Sequence, residues 1–296
     1  MTTIADRSGL QSAKPAILAY FDALPGVLRP KQLMRILAKE RAGWGLASRA
    51  TVLEFIAFLK NHGKLREYTF EFPHQIEMLY AWGDMATMEL LLNLKPRSYF
   101  SHYTAMRIHG LTEQVPKVFY LSHERVGEAR STELDQASID AAFQRPARFS
   151  HNAAEFEGWK IQLINSANTG ELGVLSQEVQ LSADSGAHVR VTNLERTLID
   201  AVVRPAYSGG VFEVAKAFEL AKDQVSVNAM GAMLGKLRFA YPFHQAIGYY
   251  LERAGYRASA VDLMRRFPMK FDFYLTHGLR KTRYVPDWRL YVPEGF

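Results

Sequence analysis

Arg49 and Thr51 stand near the start of Ser48-Arg-Ala-Thr-Val-Leu-Glu-Phe-Ile-Ala-Phe-Leu-Lys-Asn-His62, a run whose polar side chains are of the types that read and grip a nucleic-acid duplex. Guanidinium and hydroxyl groups on the first exposed turn of a helix can reach base edges in a major groove. Lys60, Lys64 and Arg66 follow at the end of the run and just beyond it, and Lys31 and Arg35 precede it, as cations suited to phosphate oxygens. The candidate DNA-binding set is Lys31, Arg35, Ser48, Arg49, Thr51, Lys60, Lys64 and Arg66. Glu54 and Glu67 fall within the same surface and oppose a polyanion. The alternative is a solvated face on a scaffold used only for protein contacts.

Catalytic patterns are missing. There is no G-x-x-x-x-G-K-[ST], no G-x-G-x-x-G after a strand, no H-E-x-x-H and no G-x-S-x-G. Without cysteine there is no disulfide, thiolate metal site or thiol nucleophile. His102 and His109, seven apart, are wrongly spaced for joint metal ligation on one helix. Glu155, Glu157 and Lys160 are residue types used by metal-dependent nucleases, but Glu157-Gly-Trp-Lys160 lacks a further placed carboxylate. Asp287, in Val285-Pro-Asp-Trp288, is an isolated acid. Glu195 and Asp200 are five apart and fall on different helical faces, so with Arg196 they read as local ion pairing or anchoring of a helix to a sheet. The expectation is a non-enzyme with no metal or cofactor. A nuclease built on Glu157 and Asp287 is the alternative.

These side chains need elements to hold them. Val52, Phe55, Ile56 and Leu59 recur at the spacing of one buried helical face, with Ser48 as the expected N-cap and Gly63 as the stop. A first helix is expected over 12–24, ended by Pro25-Gly26, and a second from Pro30 to about Arg41 with Leu33, Ile36 and Leu37 inward. Extended runs at 64–72 and 76–82 flank Phe72-Pro-His-Gln75. Helix, turn, helix and hairpin make a winged helix-turn-helix over residues 1–82, with the boundary at Gly83-Asp84.

Residues 83–296 alternate between helix and strand. Helices are expected at 85–94, 102–109 (capped by Ser101), from Thr192/Asn193 to about Val203, and three or four times between 211 and 267. Strands are expected at Val118–Leu121, Arg148–His151, Trp159–Ile164, Val189–Val191, 269–274 and 283–293, and residues 122–144 read as polar and charged. The fold class is α+β, an N-terminal winged helix-turn-helix followed by a larger mixed α/β domain.

The bulk figures fit this. An apolar fraction of 48% over 296 residues supports one large domain or two with real cores. No run approaches a membrane span, and Met-Thr-Thr-Ile-Ala-Asp-Arg is no signal peptide, so a cytoplasmic location is expected. The net charge of +6 is unevenly spread. Residues 1–82 hold 11 Lys and Arg against 7 Asp and Glu, residues 83–235 hold 14 against 18, and residues 236–296 hold 11 against 5. Basic ends around an acidic middle suit a polyanion partner at one end or both, although ordinary solvated surfaces give the same totals.

Three ordered stretches add a resemblance. Through Arg97-Ser-Tyr-Phe-Ser-His-Tyr-Thr-Ala105, His109-Gly-Leu-Thr-Glu-Gln-Val-Pro-Lys117 and Val191-Thr-Asn-Leu-Glu-Arg-Thr-Leu-Ile-Asp200 the chain resembles the AbiEi family, the antitoxins of type IV toxin–antitoxin, or abortive-infection, systems. Ile139-Asp-Ala-Ala-Phe-Gln144 and Arg204-Pro-Ala-Tyr-Ser-Gly-Gly210 look like the same family, so the resemblance spans nearly the whole chain. It implies a winged helix that binds inverted repeats upstream of its own operon and represses transcription. It also implies a C-terminal domain that counteracts a separately encoded nucleotidyltransferase-like toxin without requiring a stable complex, and that contributes to cooperative binding of neighbouring copies on DNA; monomers cooperating on repeats and a weak dimer are equally allowed. The chain itself lacks the glycine-serine and paired-aspartate pattern of such a toxin.

Overall fold

A computed structural model of the protein describes residues 9–24, 26–127, 134–182 and 185–296. It mixes helices and sheets throughout, and the chain divides into two compact units, Met1–Pro96 and Arg97–Phe296. The expected leader-free N-terminus, Met1 to Arg7, and the helix-ending Pro25 lie outside the described residues.

In the first unit, α1 (Lys14–Asp22), β1 (Val27–Leu28), α2 (Pro30–Glu40) and α3 (Val52–His62) lead into β2 (Leu65–Phe72), β3 (Gln75–Trp82) and the short α4 (Thr87–Leu91). Ile17 and Phe21 from α1, Leu33 and Leu37 from α2, and Phe55 and Leu59 from α3 meet in one core. Each pair is spaced by four residues, which places both members on one helical stripe. Phe58 joins them as a buried residue, whereas Val52 is only half-buried. Strands β2 and β3 pair antiparallel from Leu65↔Trp82 to Phe72↔Gln75, leaving Pro73-His74 as the turn, and β1 adds beside β3. Gly63 ends α3, but its backbone is extended, with φ −123°. Glycine is needed there because a Cβ would lie 2.3 Å from the Trp82 ring.

The division falls later than Gly83-Asp84, and a half-buried carboxylate accounts for this. Glu77 on β3 accepts from Arg29 at 2.8 Å and from Lys95 at 2.7 Å, while Arg29 also holds the carbonyls of Asn93 and Leu94. Burial pushes the Glu77 carboxyl up, but the hydrogen bonds from Lys95 and Arg29 outweigh it and leave the pKa lowered. Residues through Lys95 are thereby tied to β3.

The second unit holds a six-stranded mixed sheet in the order β6-β7-β5-β4-β9-β8, with β4 (Tyr99–Phe100), β5 (Val118–Glu124), β6 (Ala153–Phe156), β7 (Trp159–Ser166), β8 (Val174–Ser182) and β9 (Ser185–Thr192). Interleaved with and following it are α5 (His102–Ile108), α6 (Gln136–Phe143), α7 (Leu194–Val203), α8 (Val211–Leu220), α9 (Val227–Leu237), α10 (Phe243–Arg253) and α11 (Ala258–Arg265). A small sheet of β10 (Phe273–Tyr274), β12 (Leu290–Pro293) and β11 (Thr282–Val285) closes the chain. Trp288, fully buried, docks against α10 where Gly248 makes room: a Cβ there would sit 2.1 Å from the indole. The buried Gln245 amide donates to the carbonyls of Phe271, Trp288 and Arg289, fastening the small sheet to the same helix.

Several sequence expectations need correction here. Arg148–His151 is irregular, and the strand lies at β6 instead, where Glu157 and Gly158, both at positive φ, make a tight turn into β7. Strand β8 and helix α6 fall where the sequence pattern suggests neither. Ser101 does precede α5, but its hydroxyl caps nothing.

Candidate nucleic-acid interface

The surface in question runs across α2, the turn at 41–51, α3 and the β2–β3 ribbon. Its local logic begins at Thr51. The Thr51 hydroxyl accepts the Glu54 amide at 3.2 Å, and the Glu54 carboxylate returns to the Thr51 amide at 3.0 Å. This reciprocal capping box starts α3 at Val52, so Ser48 is not the N-cap but an exposed turn residue. Thr51 is therefore committed to the backbone, and Glu54 to Thr51. Arg49 is thus not on the first helical turn, as expected, but exposed in the segment before the helix.

That segment is organised by Arg41, which sequence reasoning misses. Its guanidinium donates to the carbonyls of Ala47 (2.6 Å), Ser48 (2.7 Å) and Ala50 (2.8 Å). Five fixed N–H donors on one planar group suit a cluster of inward-facing carbonyls, and this clamp positions Ser48 and Arg49. The nearest signal is position: Arg41 lies at the end of a helix, where a cation is favoured, but nothing in the sequence distinguishes it from neighbouring Lys39. Trp44, stacked on Phe55 at 5.7 Å, anchors the other side of the turn.

The cations divide into two groups. Lys31 and Arg35 are exposed one helical turn apart on α2. Lys60, Lys64 and Arg66 are instead ion-paired within the unit: Lys60 with Glu67 at 2.8 Å, Lys64 with Asp22 at 2.9 Å, and Arg66 with Asp84. The Glu67 hydrogen bond raises the Lys60 pKa, and hydrogen bonds from Trp82 and then Lys64 lower that of Asp22. These are surface pairs, each with at least one well-exposed partner, so a phosphate can compete for them. The exposed side of α3 also carries Leu53, 80% exposed, and Ala57.

In the second unit residues from the stretches that carry the AbiEi resemblance come together as a polar junction around the buried Arg196–Asp200 pair. Asn193 caps α7 by accepting the Arg196 amide at 2.9 Å. Arg196 pairs with Asp200 at 2.8 Å and donates to the Leu172 carbonyl at 2.7 Å. Arg190 and Arg97 share Glu171, at 2.5 and 2.7 Å, and His109 donates to the Thr192 carbonyl at 2.6 Å. The Ser101 hydroxyl bridges His102 Nδ1 (2.9 Å) and Ser122 (2.7 Å). Burial, with Asp200 nearby, pushes the Tyr99 phenol up to about 12. Arg196 is matched by Asp200, and Glu171 is held between Arg97 and Arg190, which is the arrangement of a structural junction. Glu195 serves elsewhere, accepting the Ser226 amide at 2.9 Å. Among the described residues no three His, Asp or Glu side chains gather as a metal site requires, so Glu155, Glu157 and Asp287 form no such set.

With the geometry in place, the comparisons with known proteins are brief. No family model and no curated protein matches the chain. Among solved structures, the crystal structure of the RV2827C protein from Mycobacterium tuberculosis is similar, with a TM-score of 0.59 over 96% of this chain and 91% of that one. At 12% identity the likeness is one of fold. Among the described residues no helix is long and apolar enough to cross a membrane.

Proposed function

We propose that the first unit is a winged helix-turn-helix that binds operator DNA, and that the chain is a cytoplasmic autorepressor and antitoxin of the AbiEi kind. The observation that carries the DNA half is the order helix, turn, helix, antiparallel ribbon, with Arg49 held at the mouth of α3 by the Arg41 clamp and Lys31 and Arg35 exposed on the preceding helix. That order suits α3 to the major groove, α2 to the backbone beside it and the ribbon to the flank. Position and ion pairing together divide the roles within the site. Arg49 is the base-reading candidate, and Lys31 and Arg35 are the ready phosphate ligands. Lys60, Lys64 and Arg66 reach phosphate only by releasing their carboxylates.

The antitoxin half rests on the sequence resemblance. Inverted repeats upstream of the chain's own operon are the expected operator, bound by cooperating monomers or a weak dimer. A nucleotidyltransferase-like toxin is the functional partner. Mobility shifts with the upstream fragment, with and without magnesium, test the first half. A retarded, uncut band that Arg49→Ala weakens supports the repressor, magnesium-dependent cleavage points to a nuclease, and no shift at low salt leaves only a protein scaffold. Co-expression with the product of the adjacent reading frame tests the second half. If that product is not toxic, or stays toxic beside this chain, the antitoxin assignment fails.

A further inference from the structure

A cavity of about 650 Å³ opens in the second unit where the segments after α6, α7 and β10 converge with the loop before α10. Its volume falls in the roughly 300–1,000 Å³ of small-molecule sites. Arg145, Arg148 and Arg204 line it, and among the described residues no carboxylate does. All three arginines are exposed, and among the described residues none is in an ion pair. The rest of the wall is largely ring and aliphatic surface. Phe239 and Tyr241 are half-buried, backed by buried Phe143, Phe243 and Tyr207.

The wall is also stiff. The Gly278 amide donates to the Phe143 carbonyl at 2.7 Å, and His277 Nδ1 lies 3.2 Å from the Ala142 carbonyl, closing the end of α6. The His277 ring stacks on Phe143 at 4.1 Å, with planes 5° apart. Burial holds the His277 pKa below its ordinary value against the hydrogen bond to Ala142, and the charges of Arg148 and Arg204 add to the lowering, so both arginines act on the same corner. Tyr207 is fixed by its hydroxyl, which accepts the Ser150 amide at 2.6 Å, and Arg204 lies 5.6 Å over its ring.

We propose that this cavity binds a nucleoside phosphate, with the phosphates on Arg145, Arg148 and Arg204 and the base against Phe239 and Tyr241. Three guanidiniums without a counter-charge among the described residues select a polyanion, since each fork can bond two phosphate oxygens at once. Inorganic phosphate would meet the arginines but leave the ring-lined part unfilled. A nucleoside without phosphate would fill that part and leave the arginines unmatched. Only a molecule with both features uses the whole site, and stacking on the half-buried rings accepts any base. The site lies wholly in the second unit and does not depend on the DNA-binding reading.

Calorimetric titration of the full chain tests this, with ADP, ATP and UDP as ligands and adenosine, uridine, inorganic phosphate, pyrophosphate and a short 5′-phosphorylated oligonucleotide as comparators. The nucleotides should bind at least about tenfold more tightly than any comparator, and Arg148→Met and Arg204→Met should each lower that affinity about tenfold or more. Tyr241→Leu should weaken the nucleotides while leaving pyrophosphate unchanged. Lys222→Met, in a separate cavity beside Asp223 and Tyr256, should change nothing. Equal affinity for pyrophosphate and nucleotide would overturn the base half. No nucleotide binding by the wild-type chain, or binding only of a 5′-phosphorylated oligonucleotide, would overturn the whole.

Discussion

Lys64 shows how a single side chain is repositioned by a partner far away in the sequence. Asp22 Oδ1 takes both the Lys64 ammonium at 2.9 Å and the Trp82 indole N–H at 2.8 Å. Replacing Asp22 by asparagine keeps an oxygen for the indole and removes the charge that competes with phosphate. Asp22→Asn should therefore strengthen binding to DNA of any sequence, whereas Lys64→Ala should weaken it and lower the salt slope by about one. Anisotropy titrations over a range of salt concentrations measure both; equal affinity and slope in the two variants would remove Lys64 from the interface. Arg49→Ala should instead lose operator affinity by about 1–3 kcal/mol and relax specificity. A loss that is the same on operator and random DNA would reassign it to phosphate. The cations of this surface are legible in the sequence. Their counter-ions are not, because Asp22 and Lys64 are brought together only by packing of α1 against the ribbon.

At the scale of elements, the start of α3 makes the sharpest claim. Thr51, not Ser48, holds the cap, so Thr51→Ala should cost about 1 kcal/mol and Ser48→Ala almost nothing. Chemical denaturation reads the difference directly, and the reverse ranking would restore the helix start expected from the sequence. Both residues are good cap formers, and periodicity alone does not choose between them. The choice is made by Glu54, three residues after Thr51, which is visible in the sequence but reads there as an exposed charge. Long apolar stripes such as Phe55, Ile56 and Leu59 are readable because burial repeats along them. Strand β8 is hidden for the opposite reason. It lies at the sheet edge, where Ser176, Gln177 and Glu178 need no apolar neighbours, so its sequence carries little hydrophobic signal. Helix α6 escapes notice because it is short and buries only Ile139 and Phe143. The cavity beside it is equally hidden, since Arg204 is far in sequence from Arg145 and Arg148 and meets them only through helix ends.

At the scale of the whole molecule, buried His102 and half-buried His244 lead a pH dependence of the second unit, to which His109 and His277, also lowered by burial, add. His102, enclosed beside Ser101, has its pKa lowered to about 4 by burial, with the attraction of Asp200 too weak to reverse this. His244 is likewise lowered to about 4 by burial, opposed by a hydrogen bond with Pro268. A depressed histidine pKa means that the unfolded chain binds the proton first. The stabilising contribution is therefore complete above about pH 6.5 and is lost as pH falls from 6.5 toward 4. Each ring should cost up to ~3 kcal/mol over that window, ahead of the carboxylates, whose lowered pKa values act at more acid pH. Denaturation of the full chain at successive pH values should show the second unit losing stability well above the carboxylate range. His102→Asn tests the assignment, because asparagine tolerates the left-handed backbone at this position, φ 50°, and does not titrate. Whatever its effect at neutral pH, the variant should shed a measurable part of the acid slope and leave the share of His244, His109 and His277; a slope identical to that of the wild type would mean that His102 is already protonated in the fold or reaches water.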